Sequence, residues 1–363
     1  MKRYVLYDYL QVAGGAERLV IELAGGMPGY QLVVSRIYPQ AELLGPAEML
    51  GANELISLGT PISRWLLRVP EAIFNFACRA SFLRDAEAVV YSGLYAPLAV
   101  HWQKTGRRVY YCHTPPRFAY DWKERYLARA PRLLRPLATM MIGVFQSRYE
   151  RSVARMDVVI ANSENVRQRL QRYLGIEAVV VAPPVDTDKF AWLGQGDYFL
   201  SVARLEPYKR VEMIVAAFRR MPDQKLVIAS GGSEEATLKK LSEGASNIVF
   251  VGWQTESQLQ GLVGRARAAI YMPQDEDFGM SPVEAMSAGK PVIGVSEGGL
   301  LETVVHGQTG LLIARDGGCD ALVDAVGLMT SAKALAMREA CEARAHQFSK
   351  RVFLDRMNAI LEN

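Results

Sequence analysis

The sequence predicts an α/β protein of the doubly wound, parallel-sheet kind, built as two successive domains. Three observations lead there. The chain has 363 residues, half of them hydrophobic, which is too long for one compact core and sufficient for two domains of ordinary size. Short apolar runs, such as residues 88–91 and 292–295, alternate with segments whose apolar residues recur at helical spacing. Several of those runs end in glycine turns that lead directly into a helical pattern, as at Gly14-Gly15 and Gly231-Gly232. In doubly wound sheets, ligands bind at such carboxyl ends of strands.

Taken in order, residues 4–7 form the first buried strand, and Leu19, Val20, Leu23 and Ala24 follow at helical spacing after Gly14-Gly15. A glycine pair between strand and helix lets the backbone approach a bulky anion. Its spacing is not G-x-G-x-x-G, so no nicotinamide cofactor is indicated. Strands are expected at 32–35, 54–58, 88–91 and 108–112, with a helix start at Ser92-Gly93-Leu94-Tyr95-Ala96-Pro97. His113-Thr114-Pro115-Pro116 follows the 108–112 strand, and its rigid turn holds a histidine just past a strand's carboxyl end, where ligands are touched. Residues 156–161 give another strand, and Asn162-Ser163-Glu164-Asn165 is a strong start for a helix over 166–173. After a strand at 179–182 and the run Pro183-Pro184-Val185-Asp186, a polar, glycine-containing stretch at 190–197 separates the halves. The expected domains are 1–192 and 193–345, followed by a last segment, 346–363, of helical pattern.

The second half opens with a strand at 198–203 and then Arg204-Leu205-Glu206-Pro207-Tyr208-Lys209. An arginine and a lysine five residues apart, flanking a proline turn, can converge on one phosphate, the first as a planar fork and the second as a point charge. Strand 225–229 runs into Ser230-Gly231-Gly232-Ser233, and strand 247–253 carries Val251 and Gly252. Strand 268–272 stops at Pro273, and a polar loop with Glu276 leads through Phe278, Gly279 and Met280 to a helix. Ser281 reads as the N-cap of that helix, Pro282 as its first residue and Glu284 as the capping-box partner, with Gly289 as its stop. Backbone N–H groups at 279–281 favour an anion such as phosphate.

Composition excludes several classes. Charge is moderate, with a net of +4, and no apolar run reaches transmembrane length. The N-terminus turns polar too soon for a signal peptide. Cys78, Cys112, Cys319 and Cys341 lack pair spacing, which suits a reducing cytoplasm and no metal site. Basic residues concentrate between Arg117 and Arg155, interleaved with Leu127, Leu133, Leu134, Leu137, Met140, Met141, Ile142, Val144 and Phe145. That segment reads equally as a surface for an anionic bilayer or a lipid-linked substrate and as an ordinary amphipathic helix pair with a solvated basic face. It carries no nucleic-acid-binding motif.

Glu276 and Glu284, eight residues apart, resemble the E-x7-E motif of retaining glycosyltransferases of the GT-B type, family 4. Gly-Gly-Ala-Glu-Arg at 14–18, His-Thr-Pro-Pro at 113–116, Pro-Pro-Val-Asp at 183–186, Arg-Leu-x-Pro-x-Lys at 204–209 and His-Gly-Gln-Thr-Gly at 306–310 match further family segments, in order, over nearly the whole chain. The resemblance implies a GT-B fold, two Rossmann-like doubly wound parallel-sheet domains facing a central cleft, with the last helix, in 346–363, packing back on the first. It implies transfer of a sugar from a nucleotide diphosphate with retention of configuration, by a front-face route assisted by the leaving phosphate.

It also assigns roles. Arg204 and Lys209 clamp the diphosphate, helped by Gly14, Gly15, Gly279, Met280 and Ser281, and Gly231 and Phe278 also belong to the donor-binding site. Val251 and Gly252 lie by the base, Glu284 takes the ribose hydroxyls, and His113 and Glu276 fix the donor sugar. Tyr120 and Asp121 border the acceptor. No cofactor or metal is implied, although Asp275-Glu276-Asp277 has the look of a D-x-D metal site. The His-Thr-Pro-Pro and Pro-Pro-Val-Asp-Thr-Asp-Lys-Phe runs look most like bacterial mannosyltransferases that use GDP-mannose on a glycan or polyprenyl-linked acceptor for O-antigen or exopolysaccharide. Such an enzyme is expected in the cytoplasm, peripheral on the inner membrane. The alternatives are a UDP-sugar transferase of the same fold and a non-catalytic nucleotide-sugar-binding protein.

Overall fold

The computed structural model describes residues 2–11, 14–38, 50, 54–59 and 68–362. The chain divides into two units, Met1–Ala182 with Phe353–Asn363, and Pro183–Val352. The first holds a seven-stranded sheet: β1 (Arg3–Tyr7), β2 (Tyr30–Val34), β3 (Leu55–Ser57), β4 (Ala88–Ser92), β5 (Arg107–Cys112), β6 (Val158–Ala161) and β7 (Val179–Val180). Its order is β3-β2-β1-β4-β5-β6-β7, and each pairing is parallel. Both faces are covered, which is why these strands read as unbroken apolar runs rather than alternating ones. Tyr4, Leu6, Tyr91 and Tyr110 point into one layer, while Val5, Tyr7, Val90 and Tyr111 point into the other. Phe353 and Met357 of the terminal helix Lys350–Glu362 are buried in that second layer.

The second unit repeats the winding with six parallel strands: β8 (Tyr198–Ser201), β9 (Lys225–Ile228), β10 (Ile248–Phe250), β11 (Ala268–Tyr271), β12 (Val292–Val295) and β13 (Gly310–Ile313). Their order is β10-β9-β8-β11-β12-β13. In both sheets the strand order reverses next to the first strand, between β1 and β4 and between β8 and β11. Such switch points are where doubly wound sheets leave a crevice at the strands' carboxyl ends.

The structure differs from the sequence reading in two places. The division falls at Ala182/Pro183, ten residues before the expected 192/193, because the 183–192 stretch is bonded into the second unit. There Val185 bridges to Ser349, Lys189 pairs with Glu256, and Trp192 lies against Lys290 and Arg338. The helix after Glu276 runs over Met280–Ser287 and is capped by Gly279 at φ +94°, with no side-chain cap bond. Ser281 is therefore inside the first turn, Glu284 is in the second, and the expected capping box does not form. The cap at Ser163 does form, its hydroxyl accepting from the Val166 N–H. Among the described residues no helix is long and apolar enough to cross a membrane.

Candidate functional site

In the second unit the chain leaving β8 and the chain leaving β11 meet at the switch point. The Gln274 N–H donates to the Tyr208 carbonyl at 2.7 Å, which joins the two loops. Across that joint the Lys209 ammonium donates to Glu276 Oε2 at 2.6 Å and to the Tyr271 hydroxyl at 2.8 Å, and the Tyr271 hydroxyl donates to the same carboxylate oxygen at 2.9 Å. The Lys209 and Glu276 side chains are 11% and 19% exposed, so the pair is largely withdrawn from water yet still reachable. Burial, and next the Glu276 carboxylate, push the Tyr271 hydroxyl well above its usual range, while the Arg204 guanidinium pulls the other way. Arg204 itself is exposed. A cation, a buried lysine and a carboxylate are thus gathered at the carboxyl ends of β8 and β11.

Backbone strain collects at the same place. Among the described residues the two non-glycine positions with positive φ are Arg210 at +51° and Asp275 at +50°, the residues next to Lys209 and Glu276. Conformations of this kind persist where surrounding structure over-determines them. Here the Gly299 N–H donates to the Glu276 carbonyl at 2.8 Å, and a Cβ on Gly298 would lie 2.4 Å from that same carbonyl oxygen. The neighbouring Glu297 carboxylate binds Arg210 and Arg315. Loops 204–210, 273–279 and 297–299 therefore hold one another, and Lys209 and Glu276 ride on a fixed frame.

The other expected residues of this half fall along the same strand ends. Leu205, next to Arg204, donates its N–H to the Gly231 carbonyl at 3.0 Å. A Cβ on Gly231 would meet Trp253 Nε1 at 2.5 Å, so the indole lies on that turn, with Gly252 at φ +69° just before it. The Val251 N–H is bonded to the Ile228 carbonyl, and its side chain is exposed. Met280 and Ser281 head the helix after Gly279, so their N–H groups have no acceptor within it. Phe278 is buried edge-on to Phe348 and braces the loop. Glu284 is half-buried on the same helix.

In the first unit the corresponding switch point holds Asp8, which the sequence reading passed over. Its carboxylate accepts the N–H groups of Leu94, Tyr95 and Ala96 at 2.6, 2.7 and 2.9 Å, and Gly93 at φ +98° leaves room for it. The turn after β4 is thereby wound around Asp8. Ser92, at the end of β4, shares a 2.8 Å hydrogen bond with His113 Nε2, and the His113 ring packs against Tyr7 and Tyr111. Gly14 precedes the helix Gly15–Gly26 near the carboxyl end of β1. Asp121 is paired with Arg117, and Tyr120 bonds Glu150.

These two buried groups titrate in opposite senses. Burial lifts the Asp8 carboxyl from 3.8 to about 6 against the pull of its three N–H donors, and burial lowers the His113 imidazole from 6.5 to about 4. The folded state binds a proton at Asp8 more tightly than the unfolded chain, so this group's contribution falls as pH rises from 3.8 to 6. At His113 it binds the proton less tightly, so that contribution falls as pH drops from 6.5 to 4. Across nearly the same window the two slopes offset. Denaturant melts of Asp8→Asn are therefore expected to lose stability on acidification from neutral pH to about 4.5, and those of His113→Phe to gain it, while the parent changes less than either.

With this geometry in view, comparison with known proteins places the chain. Residues 13–189 match the family described as Glycosyltransferase Family 4, and residues 185–348 match the one described as Glycosyl transferases group 1, so the two matches run nearly end to end. The chain belongs to glycosyltransferase family 4. It is 25% identical to the alpha-1,3/1,6-mannosyltransferase ALG2 of Dictyostelium discoideum, over 82% of this chain and 83% of that protein. It is 32% identical to the GDP-mannose-dependent alpha-(1-6)-phosphatidylinositol monomannoside mannosyltransferase of Mycobacterium tuberculosis H37Rv, over 58% of this chain and 64% of that enzyme. Among solved structures, Anabaena HepE in complex with UDP and glucose superposes with a TM-score of 0.76 at 17% identity, over 100% of both chains. A lipopolysaccharide outer core galactosyltransferase, WaaB, gives 0.74 at 17%, over 100% of this chain and 99% of that one. These likenesses establish the GT-B fold.

In this glycosyltransferase the residues that sequence reasoning missed are those without a motif of their own. Tyr271 reads as one of the apolar residues of the strand at 268–272, yet its hydroxyl joins Lys209 to Glu276. Tyr271→Phe keeps the ring and removes that link. It is expected to lower kcat/KM by a little over tenfold in a transfer assay, the worth of one hydrogen bond to a charged group at the modest end of its range, about 1.5 kcal/mol.

Proposed function

We propose that this glycosyltransferase moves mannose from GDP-mannose, with retention of anomeric configuration, to a glycan or polyprenyl-linked acceptor of a bacterial surface polysaccharide. The reading places the enzyme at the cytoplasmic face of the inner membrane and needs no metal ion. The observation that carries it is the Lys209–Glu276 contact at the second sheet's switch point, with Arg204 beside it. A diphosphate arriving there competes for the Lys209 ammonium and is met by the fork of Arg204. Released from Lys209, Glu276 becomes an acceptor for sugar hydroxyls. Cations fixed in advance stabilise the charge that develops on the leaving phosphate, the work a metal does elsewhere. Glu284 is assigned to the ribose, and His113, held neutral, to the sugar. The mannose assignment is supported by relatives named as mannosyltransferases.

The experiment is a thermal-shift panel of GDP- and UDP-sugars, because a ligand that binds the folded state raises its melting temperature by mass action. GDP-mannose is expected to give the largest shift, and turnover with an acceptor extract should follow the same ranking. A larger shift with uridine nucleotides overturns the donor assignment. Donor binding without turnover under any acceptor would mark a non-catalytic binding protein.

A further inference from the structure

The helix Arg135–Val153 turns one face to the core through Phe145, Tyr149 and Val153 and leaves the other bare. At about 100° per residue, Leu137, Met140, Met141 and Val144 fall on one stripe, and the same stripe continues into Arg148, Arg151 and Arg155 just past the helix end. The apolar members are 50%, 60%, 60% and 51% exposed, and Leu133, immediately before the helix, is 94% exposed. Of the sixteen large apolar side chains that stand exposed among the described residues, six lie between 133 and 144. Scattered exposure of single side chains is normal; a run of this density marks a contact surface.

Beside the arginine end is an open cavity of about 290 Å³. Arg148, Arg151, Arg155 and His101 line it over a floor that includes Ile73 and Leu98, and no carboxylate lines it. The Arg151 guanidinium is held in place by the carbonyl and hydroxyl of Ser147. His101 Nδ1 bonds the Leu98 carbonyl, which reserves the other ring nitrogen for a further partner. Three guanidinium groups around an apolar-floored hollow suit a phosphate group with a chain attached.

We propose that this cavity receives the phosphate of an anionic lipid headgroup while the stripe from Leu133 to Val144 lies among the acyl chains of the same leaflet. Charge and apolar surface select a single occupant. A free anion has no use for the exposed leucine and methionine stripe, and a neutral hydrophobic partner has none for three clustered arginines. The helix would then lie in the plane of the bilayer surface, where such two-part surfaces bind. The proposal takes from the proposed function only the placement at a membrane face, and its test uses no donor.

The test is partition of the full-length protein onto sedimented vesicles. Preference for phosphatidylcholine vesicles containing phosphatidylglycerol over pure phosphatidylcholine is expected to be about 100-fold at low salt, the combined effect of three arginines near an anionic surface, and to decline as salt rises. Arg148→Gln/Arg151→Gln/Arg155→Gln should abolish the preference, and Leu137→Ser/Met140→Ser/Met141→Ser should weaken binding to the anionic vesicles by tenfold or more. Arg148→Glu, a single exposed change, should move binding in the same direction if the triple variant melts early. Equal binding to both vesicle types, or an arginine variant that binds as the parent does, overturns the proposal. So does stabilisation by inorganic phosphate, lost in the triple glutamine variant, without vesicle binding, for that marks a soluble-anion site. Since GDP-mannose is absent from the assay, failure of the donor assignment leaves this result untouched, and the reverse holds as well.

Discussion

Lys209→Ala is expected to weaken GDP binding about a hundredfold, read by titration calorimetry, and to raise the donor KM by a similar factor. Two terms act together. The ammonium is lost as a charge-assisted donor to phosphate, an effect of roughly 1.5–3 kcal/mol. The Glu276 carboxylate, which Lys209 now neutralises at 2.6 Å, is left facing the incoming diphosphate with like charge. Stability should fall too. Breaking a buried pair from one side costs about 3–5 kcal/mol, and the 11% and 19% exposure of these side chains, with Tyr271 still donating to the carboxylate, puts the loss here at the lower end or below. The two effects can be separated. Lys209→Met/Glu276→Gln removes both charges and should recover most of the melting temperature while GDP affinity stays low. If GDP binds the single variant as tightly as the parent, Lys209 has no part in the phosphate clamp.

Much of this arrangement is legible in the sequence because parallel sheets advertise themselves. Strands buried on both faces must be apolar throughout, so residues 292–295 and 88–91 stood out, and the structure places β12 and β4 there. Arg204, Lys209 and Glu276 were legible because each follows such a strand within a few residues. What was missed depends on contacts between segments distant in sequence. Ser281 has the right neighbours for a cap, but the Gly298-Gly299 turn packs on 276–278 and fixes Gly279 in a left-handed conformation, so the helix begins two residues earlier. Asp8 looks like any polar residue after a strand, and only the fold brings the N–H groups of residues 94–96 onto it. The 183–192 stretch has a linker's composition, yet Trp192 lies against Lys290 and Arg338, 98 and 146 residues onward.

Glu276→Gln should leave GDP affinity within a few fold of the parent while kcat falls by about 10² to 10³, the range seen when one preorganised polar group at a developing charge is removed. The substitution keeps the side chain's shape and one acceptor oxygen for the Tyr271 hydroxyl, so the loop is expected to remain closed. Its backbone is held independently, by the Gly299 N–H on the Glu276 carbonyl and the Gln274 N–H on the Tyr208 carbonyl. The change is therefore confined to charge at the sugar. Loss of the negative charge frees Lys209 for phosphate, so donor affinity may not be read as a proxy for catalysis, and a modest gain in GDP affinity together with collapsed turnover is the diagnostic combination. The split between KM and kcat decides the role: a residue that acts only on binding would raise KM and spare kcat. A Glu276→Gln enzyme with full kcat would remove the carboxylate from the chemistry and leave it as a structural counter-ion to Lys209.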